Sequence, residues 1–234
     1  KIGSVIGISI SSGDFTAYYP IAHEGGGNMD RGAVIKYIRD ICEDDSIEKV
    51  FHNAQYDIGW LSVIEIEVRG RIHDTMVAMA LIDENRFSYT LNSISFDYLG
   101  EYKNESKLKE AALAFGVDPK SEMYKLPATF VGEYAEEDAR LTLKLHEKLS
   151  WEIKKDNLET IYDIECRLIN VIFNMTKKGV RFDLDRCLTL NDKFRNKEKK
   201  ILKRVKDLTN QNVEIWAAAS IAKAFDSLNL PYER

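Results

Sequence analysis

The stretch KVFHNAQYDIGWL, residues 49–61, changes character in its middle. Lys49, Val50 and Phe51 read as the end of a buried strand, and the residues from Ala54 to Ile64 as a helix with an apolar face. Asn53 stands at the junction, where an asparagine serves as an N-cap by accepting a hydrogen bond from a free backbone N–H. Asp57 follows four residues later, so the two side chains project to the same side of the first helical turn. Ligands of open α/β sheets sit beyond the carboxyl ends of the strands, which is where this pair is delivered.

Outward from that junction, strand and helix patterns alternate. Residues 2–10 and 14–21 are β-rich runs separated by Ser-Ser-Gly, which reads as a hairpin. HEGGGNMD reads as a flexible loop, because its glycines lack the Gly-Lys-Ser/Thr ending of a phosphate cradle. Met29 to Cys42 has helical periodicity, residues 63–71 read as a connection containing a strand, and HDTMVAMALIDE opens an apolar helix that Asp74 caps. Residues 88–100 read as a helix ended by Gly100, residues 101–127 as polar and irregular, and Phe130 to Lys155 as a long helix. Strands vanish beyond residue 156, leaving a helix stopped at Gly179 and another from Leu184 to Leu208. The expected fold class is α/β, a central sheet covered by helices on both faces, followed by a mainly α-helical segment, with a boundary near residue 155.

Composition narrows the possibilities. The chain has 234 residues, 44% apolar and 30% charged, which suits a globular protein and excludes disorder. Residues 1–149 hold 16 Lys plus Arg against 25 Asp plus Glu, whereas residues 150–234 hold 17 against 13, so an acidic part precedes a basic one. An acidic part suits a metal site and a basic part suits phosphate. Within the basic part, residues 192–206 carry eight Lys or Arg against two acids, with Ile201, Leu202, Val205 and Leu208 on one helical stripe; the basic face either stays solvated or meets a nucleic-acid backbone. Cys42, Cys166 and Cys187 match no zinc or redox spacing and read as thiols of a reducing, cytoplasmic compartment. No apolar run reaches the roughly 20 residues that cross a bilayer, so no membrane partner is expected.

A second carboxylate cluster lies in EYAEEDARLT, where Tyr134 and Asp138 again stand four apart on a helix. Two carboxylates from distant helices, flanked by an amide and a phenol, suit metal-assisted hydrolysis of a phosphodiester, because hard divalent cations bind carboxylate oxygen. Read alone, Asp138 is equally a solvated helix carboxylate among Glu133, Glu136 and Glu137, and Tyr134 a core aromatic.

Asn-x-x-x-Asp after a strand, HDT about 20 residues later and Tyr-x-x-x-Asp some 80 residues on resemble the second and third motifs of the proofreading 3′–5′ exonuclease of family A DNA polymerases. The flanks extend the likeness over essentially the whole chain: IGSVIGISI and AYYPIAHEGGGNMD resemble the second and third strands of that domain with the loop behind them, IECRLINVIFNMTKKGVRFD the helix that opens the polymerase domain, and NVEIWAAASIAKAFDSLNLP the segment leading towards the thumb. The resemblance implies a ribonuclease H-like exonuclease domain with a mixed central sheet over residues 1–155, and the beginning of a polymerase domain over 156–234. It implies Asp57 and Asp138 as carboxylates for two Mg²⁺ or Mn²⁺ ions, Tyr134 as the phenol that orients the attacking water, and Asn53 as a contact to the terminal nucleotide of DNA. His52 is only their neighbour. The family's first motif, Asp-x-Glu on the first strand, is not in this sequence, and neither Asp14 nor Glu24 replaces it. The chain, opening KIGSVIGISI without a Met, therefore reads as an internal piece of a larger bacterial or phage polymerase, inactive by itself. The competing expectation is a non-catalytic nucleic-acid-binding module on the same fold.

Overall fold

The computed structural model describes residues 3–232; Ile2, with which the first expected strand begins, lies outside them. The chain divides into two compact units, Lys1–Lys178 and Gly179–Arg234.

In the first unit, β1 (Gly7–Ser12) and β2 (Phe15–Pro20) form an antiparallel hairpin in register from Gly7 opposite Pro20 to Ser12 opposite Phe15. The turn is tighter than expected, since Ser11 and Ser12 belong to β1 and Gly13 takes the positive φ of 57° that a two-residue connection needs. β3 (Lys49–Phe51) and β4 (Ile72–Asp74) pair in parallel, with Phe51 opposite Asp74. Among the described residues the sheet content is these two ladders, and the 63–71 connection contributes only its end to β4.

Helices make up most of the rest: α1 (Arg31–Cys42), α2 (Ala54–Leu61), α3 (Thr75–Ile82), α4 (Leu91–Leu99), α5 (Ser106–Phe115), α6 (Ala128–Lys155) and α7 (Glu159–Lys178). The expected helix through Ile64 shortens to α2 plus a 3-10 turn at Ser62–Ile64. α5 corrects the reading of residues 101–127 as irregular. Its apolar face is only Leu108, Ala111 and Ala112, too narrow to stand out among charges, yet these residues are buried with Leu126 and Val131.

α6 is the spine. Leu141, Leu145 and Leu149, spaced four apart on one face, are each at most 1% exposed and pack with Met79 of α3 and Ile94 of α4. Tyr162 and Cys166 of α7 join that cluster and Ile169 joins the core built on α1 and α2, so α7 is packed within the first unit and the compact units part after it.

The glycine loop is anchored rather than flexible. His23, 3% exposed, sets Nδ1 2.9 Å from the Leu126 carbonyl and Nε2 2.6 Å from the Tyr18 hydroxyl. A carbonyl only accepts, so Nδ1 carries the proton and Nε2 accepts from Tyr18. Asn28 clasps the His23 backbone through both its amide atoms, and Gly25 lies so close to Pro127 that a Cβ would stand 2.3 Å from its backbone nitrogen. The loop thereby fixes the start of α6.

All four histidines are held below the ordinary imidazole range, burial being the largest cause at each. His146 is pushed down to about 4 by burial and then by the His73 ring, whose centroid lies 4.5 Å away. In the unfolded chain these rings protonate near roughly pH 6.5. Below that pH the unfolded state binds protons that the native state refuses, so their contribution is complete above about 6.5 and is lost as the pH falls towards the folded values. The melting temperature is expected to drop between pH 7 and pH 5, with a shallower drop for His146→Gln. Thermal melts that coincide at the two pH values would contradict this.

The second unit contains α8 (Leu184–Thr209), capped by Asp183, which accepts from the Arg186 N–H at 2.9 Å, and α9 (Ala218–Ser227). Within it the expected apolar stripe of α8 is partly covered, with Leu202 and Val205 half-buried while Ile201 is 52% and Leu208 64% exposed. Among the described residues no helix is long and apolar enough to cross a membrane.

Candidate active site

The junction of β3 and α2 is built by a residue that is distant in sequence. Asn53 adopts a left-handed conformation, φ 67° and ψ 58°, and its side chain makes no capping bond, contrary to the expected N-cap. Asn tolerates this region because its short polar side chain suffers less there than a branched one. Asp74 does the capping instead. Its Oδ1 accepts from the Asn53 N–H at 3.1 Å and the Met76 N–H at 2.8 Å, and its Oδ2 from the Ala54 N–H at 2.7 Å. One carboxylate, 3% exposed, thus holds the first turns of both α2 and α3. The parallel pairing of Phe51 with Asp74 makes this possible, and the Thr75 hydroxyl adds a bond to the Phe51 carbonyl at 3.2 Å. Asn53 is left exposed and Asp57, a turn into α2, half-buried.

On α6 the acidic run separates by environment. Glu133 pairs with Lys107 at the surface, Glu137 with Arg140, and the Glu136 carboxylate accepts from the Tyr18 N–H of β2 at 3.0 Å. Asp138 is different. Desolvation by burial raises its carboxyl above the usual range even though the Lys103 ammonium, next in size, pulls it down. The Tyr134 phenol is raised by burial and then by the Asp138 charge, so it stays protonated. Asp138 is therefore not the solvated carboxylate that its acidic neighbours suggested.

Lys103, which nothing in the local sequence marks, joins the two. Its Nζ donates to Tyr134 Oη at 2.8 Å and to Asp138 Oδ2 at 3.3 Å, and lies 3.1 Å from Oδ1. α6 also grips the chain beside it, since Arg140 and Lys144 both bind the Glu101 carboxylate. The Lys103 charge reaches His52 as well, adding to the burial that lowers its pKa. α6, which carries Tyr134 and Asp138, packs against β3, the strand that leads into the junction.

The chemistry of Asp138 fits a divalent cation. Its Oδ1 is buried and accepts no hydrogen bond, its charged neighbour being the Lys103 ammonium at 3.1 Å, and a carboxylate oxygen is a hard donor of the kind such cations take. Among the described residues no group of three or more His, Cys, Asp or Glu side chains stands ready as a metal site.

The fold is of the α/β class. Solved structures agree on the fold: a polymerase domain of Pol1 from M. smegmatis, in complex with DNA primer-template and dNTP, superposes with TM-score 0.66 over 94% of this chain and 35% of that one at 17% identity. Brucella melitensis NrnC gives TM-score 0.56 over 75% of this chain and 78% of its own, also at 17%. The protein-family model described as 3′–5′ exonuclease, that of the exonuclease domain of DNA polymerase A, matches residues 3–154, and the chain belongs to this family. Among curated relatives, a DNA-directed DNA polymerase of Pseudomonas phage M6 is 33% identical over 97% of this chain, and DNA polymerase I of Pseudomonas aeruginosa 27% identical over 97%. The chain spans 35% of the first and 25% of the second, about a third and a quarter of their lengths.

Proposed function

We propose that this chain is the exonuclease segment and the beginning of the polymerase domain of a bacterial or phage DNA polymerase, and that the site around Asn53, Asp57, Tyr134 and Asp138 removes mismatched nucleotides from a DNA 3′ end. The observation that carries this reading is the desolvated Asp138 beside the protonated Tyr134 on α6. An exposed Asn53 amide holds the terminal nucleotide, and the neutral Tyr134 hydroxyl orients the attacking water by hydrogen bonding rather than by taking its proton. Asp57 and Asp138 hold divalent ions, Mg²⁺ or Mn²⁺, which when bound supply charge stabilisation at the phosphoryl group. Residues 156–234 lead towards the thumb, and the basic face of α8 meets the phosphate backbone without reading sequence. The working compartment is the cytoplasm of the bacterium or infected host.

The alternative, a nucleic-acid-binding module without catalysis, draws on the incomplete ligand set. Digestion of a 3′-labelled single-stranded DNA with Mg²⁺ or Mn²⁺ separates the two, comparing this chain with one extended upstream through an Asp-x-Glu motif. Mononucleotides released by the extended chain, and little or none by the 234-residue chain, are expected. DNA bound but uncut by both selects the alternative.

A further inference from the structure

Lys103 lies in the short connection between α4 and α5, with its side chain 15% exposed. A lysine so far from water is held by what it donates to, and here both acceptors belong to the proposed site: Tyr134 Oη at 2.8 Å and the Asp138 carboxylate, whose oxygens are 3.1 and 3.3 Å away. Its placement is fixed from two further directions, by the Asn92 side chain accepting its backbone N–H at 3.2 Å and by the ion pairs of α6 with Glu101 two residues earlier. This is a built arrangement around one carboxylate and one phenol.

We propose that Lys103 is the built-in counter-charge of the site, a positioning residue that holds Tyr134 and Asp138 in place and competes with a divalent cation for Asp138. The inference rests on the reading of Asp138 as a metal carboxylate. A cation bound at the usual 2.0–2.6 Å from an Asp138 oxygen stands against an ammonium in contact with the same carboxylate, so like charges meet at close range in a partly desolvated pocket. Metal entry then requires the flexible lysine stem to withdraw from the carboxylate, while its bond to Tyr134 keeps the phenol oriented. A merely structural salt bridge predicts lost stability when the lysine is removed and no change in metal affinity.

The test is Mn²⁺ titration of the 234-residue chain followed by electron paramagnetic resonance, with far-ultraviolet circular dichroism to verify the fold. Lys103→Met is expected to bind Mn²⁺ about tenfold more tightly, since one adjacent positive charge is gone. Lys103→Arg should keep the parent affinity, and adding Asp138→Asn to Lys103→Met should erase the gain. Lys103→Gln carries the same expectation should the methionine variant not fold. Equal or weaker binding by the neutral variants, or no Mn²⁺ bound by any of them, overturns the proposal. Since no hydrolysis is measured, a gain in affinity here, with DNA left uncut even by the chain extended upstream through an Asp-x-Glu motif, would leave this proposal standing and the nuclease reading rejected. Cleavage that depends on Asp138 without any gain would do the reverse.

Discussion

Asp138→Ala, made in a polymerase chain that carries this segment, should slow release of 3′-terminal mononucleotides by about a thousandfold or more, equivalent to roughly 4 kcal/mol of transition-state stabilisation. Asp57→Ala should do the same. The size follows from the role proposed for Asp138 as a metal carboxylate: it is half-buried, and its Oδ1 accepts no hydrogen bond and lies 3.1 Å from the Lys103 ammonium. Alanine at 138 also strands the Lys103 ammonium, so Asp138→Asn belongs beside it, keeping the volume and an acceptor while removing the charge. Rates on labelled single-stranded DNA decide the matter, and variants within tenfold of the parent would remove both carboxylates from the chemistry.

The largest loss of stability is expected at Asp74. Its carboxylate accepts from the backbone N–H groups of Asn53, Ala54 and Met76 at 3.1 Å or less, in a place 3% exposed. Alanine leaves these donors without partners away from water, and each such loss costs about 1–3 kcal/mol. Allowing for relaxation and entry of water, the sum is about 3 kcal/mol, or a fall of about 10 °C in melting temperature for a unit of this size. Asp74→Asn, which retains one acceptor oxygen, should lose less. Circular dichroism melts measure both, and an Asp74→Ala midpoint within a degree of the parent would show that the two helix starts hold themselves.

Much of this was readable from the sequence because the signals were local. The apolar-to-polar change at Phe51 gave β3 and α2, the charge-flanked periodicity after Phe130 gave α6, and Gly100 and Gly179 marked chain breaks that the structure also has. Tyr134 and Asp138 fell on one helical turn by spacing alone. What stayed hidden depended on distant partners. Lys103 is one lysine in a polar stretch until α6 brings Tyr134 and Asp138 to it, 31 and 35 residues later in the chain. Asp74 announced itself as a cap for α3, yet its second task became visible only through the parallel pairing of β3 and β4. The glycine loop looked flexible because its anchor, the Leu126 carbonyl, is 103 residues from His23. α5 was missed because two of its three buried residues are alanines, which weigh little in any apolar count.

The remote capping of α2 also bears on the order in which the molecule assembles. α2 has eight residues, below the roughly 12–15 at which an isolated helix becomes marginal in water, and the donors of its first turn wait for a carboxylate 20 and 21 residues further along. Closing that excursion must come before the helix has a stable beginning. Asn53 and Asp57 therefore acquire their geometry late, together with β4 and α3, and a ribosome that has released only the first 60 residues has made these two side chains without yet fixing where they stand.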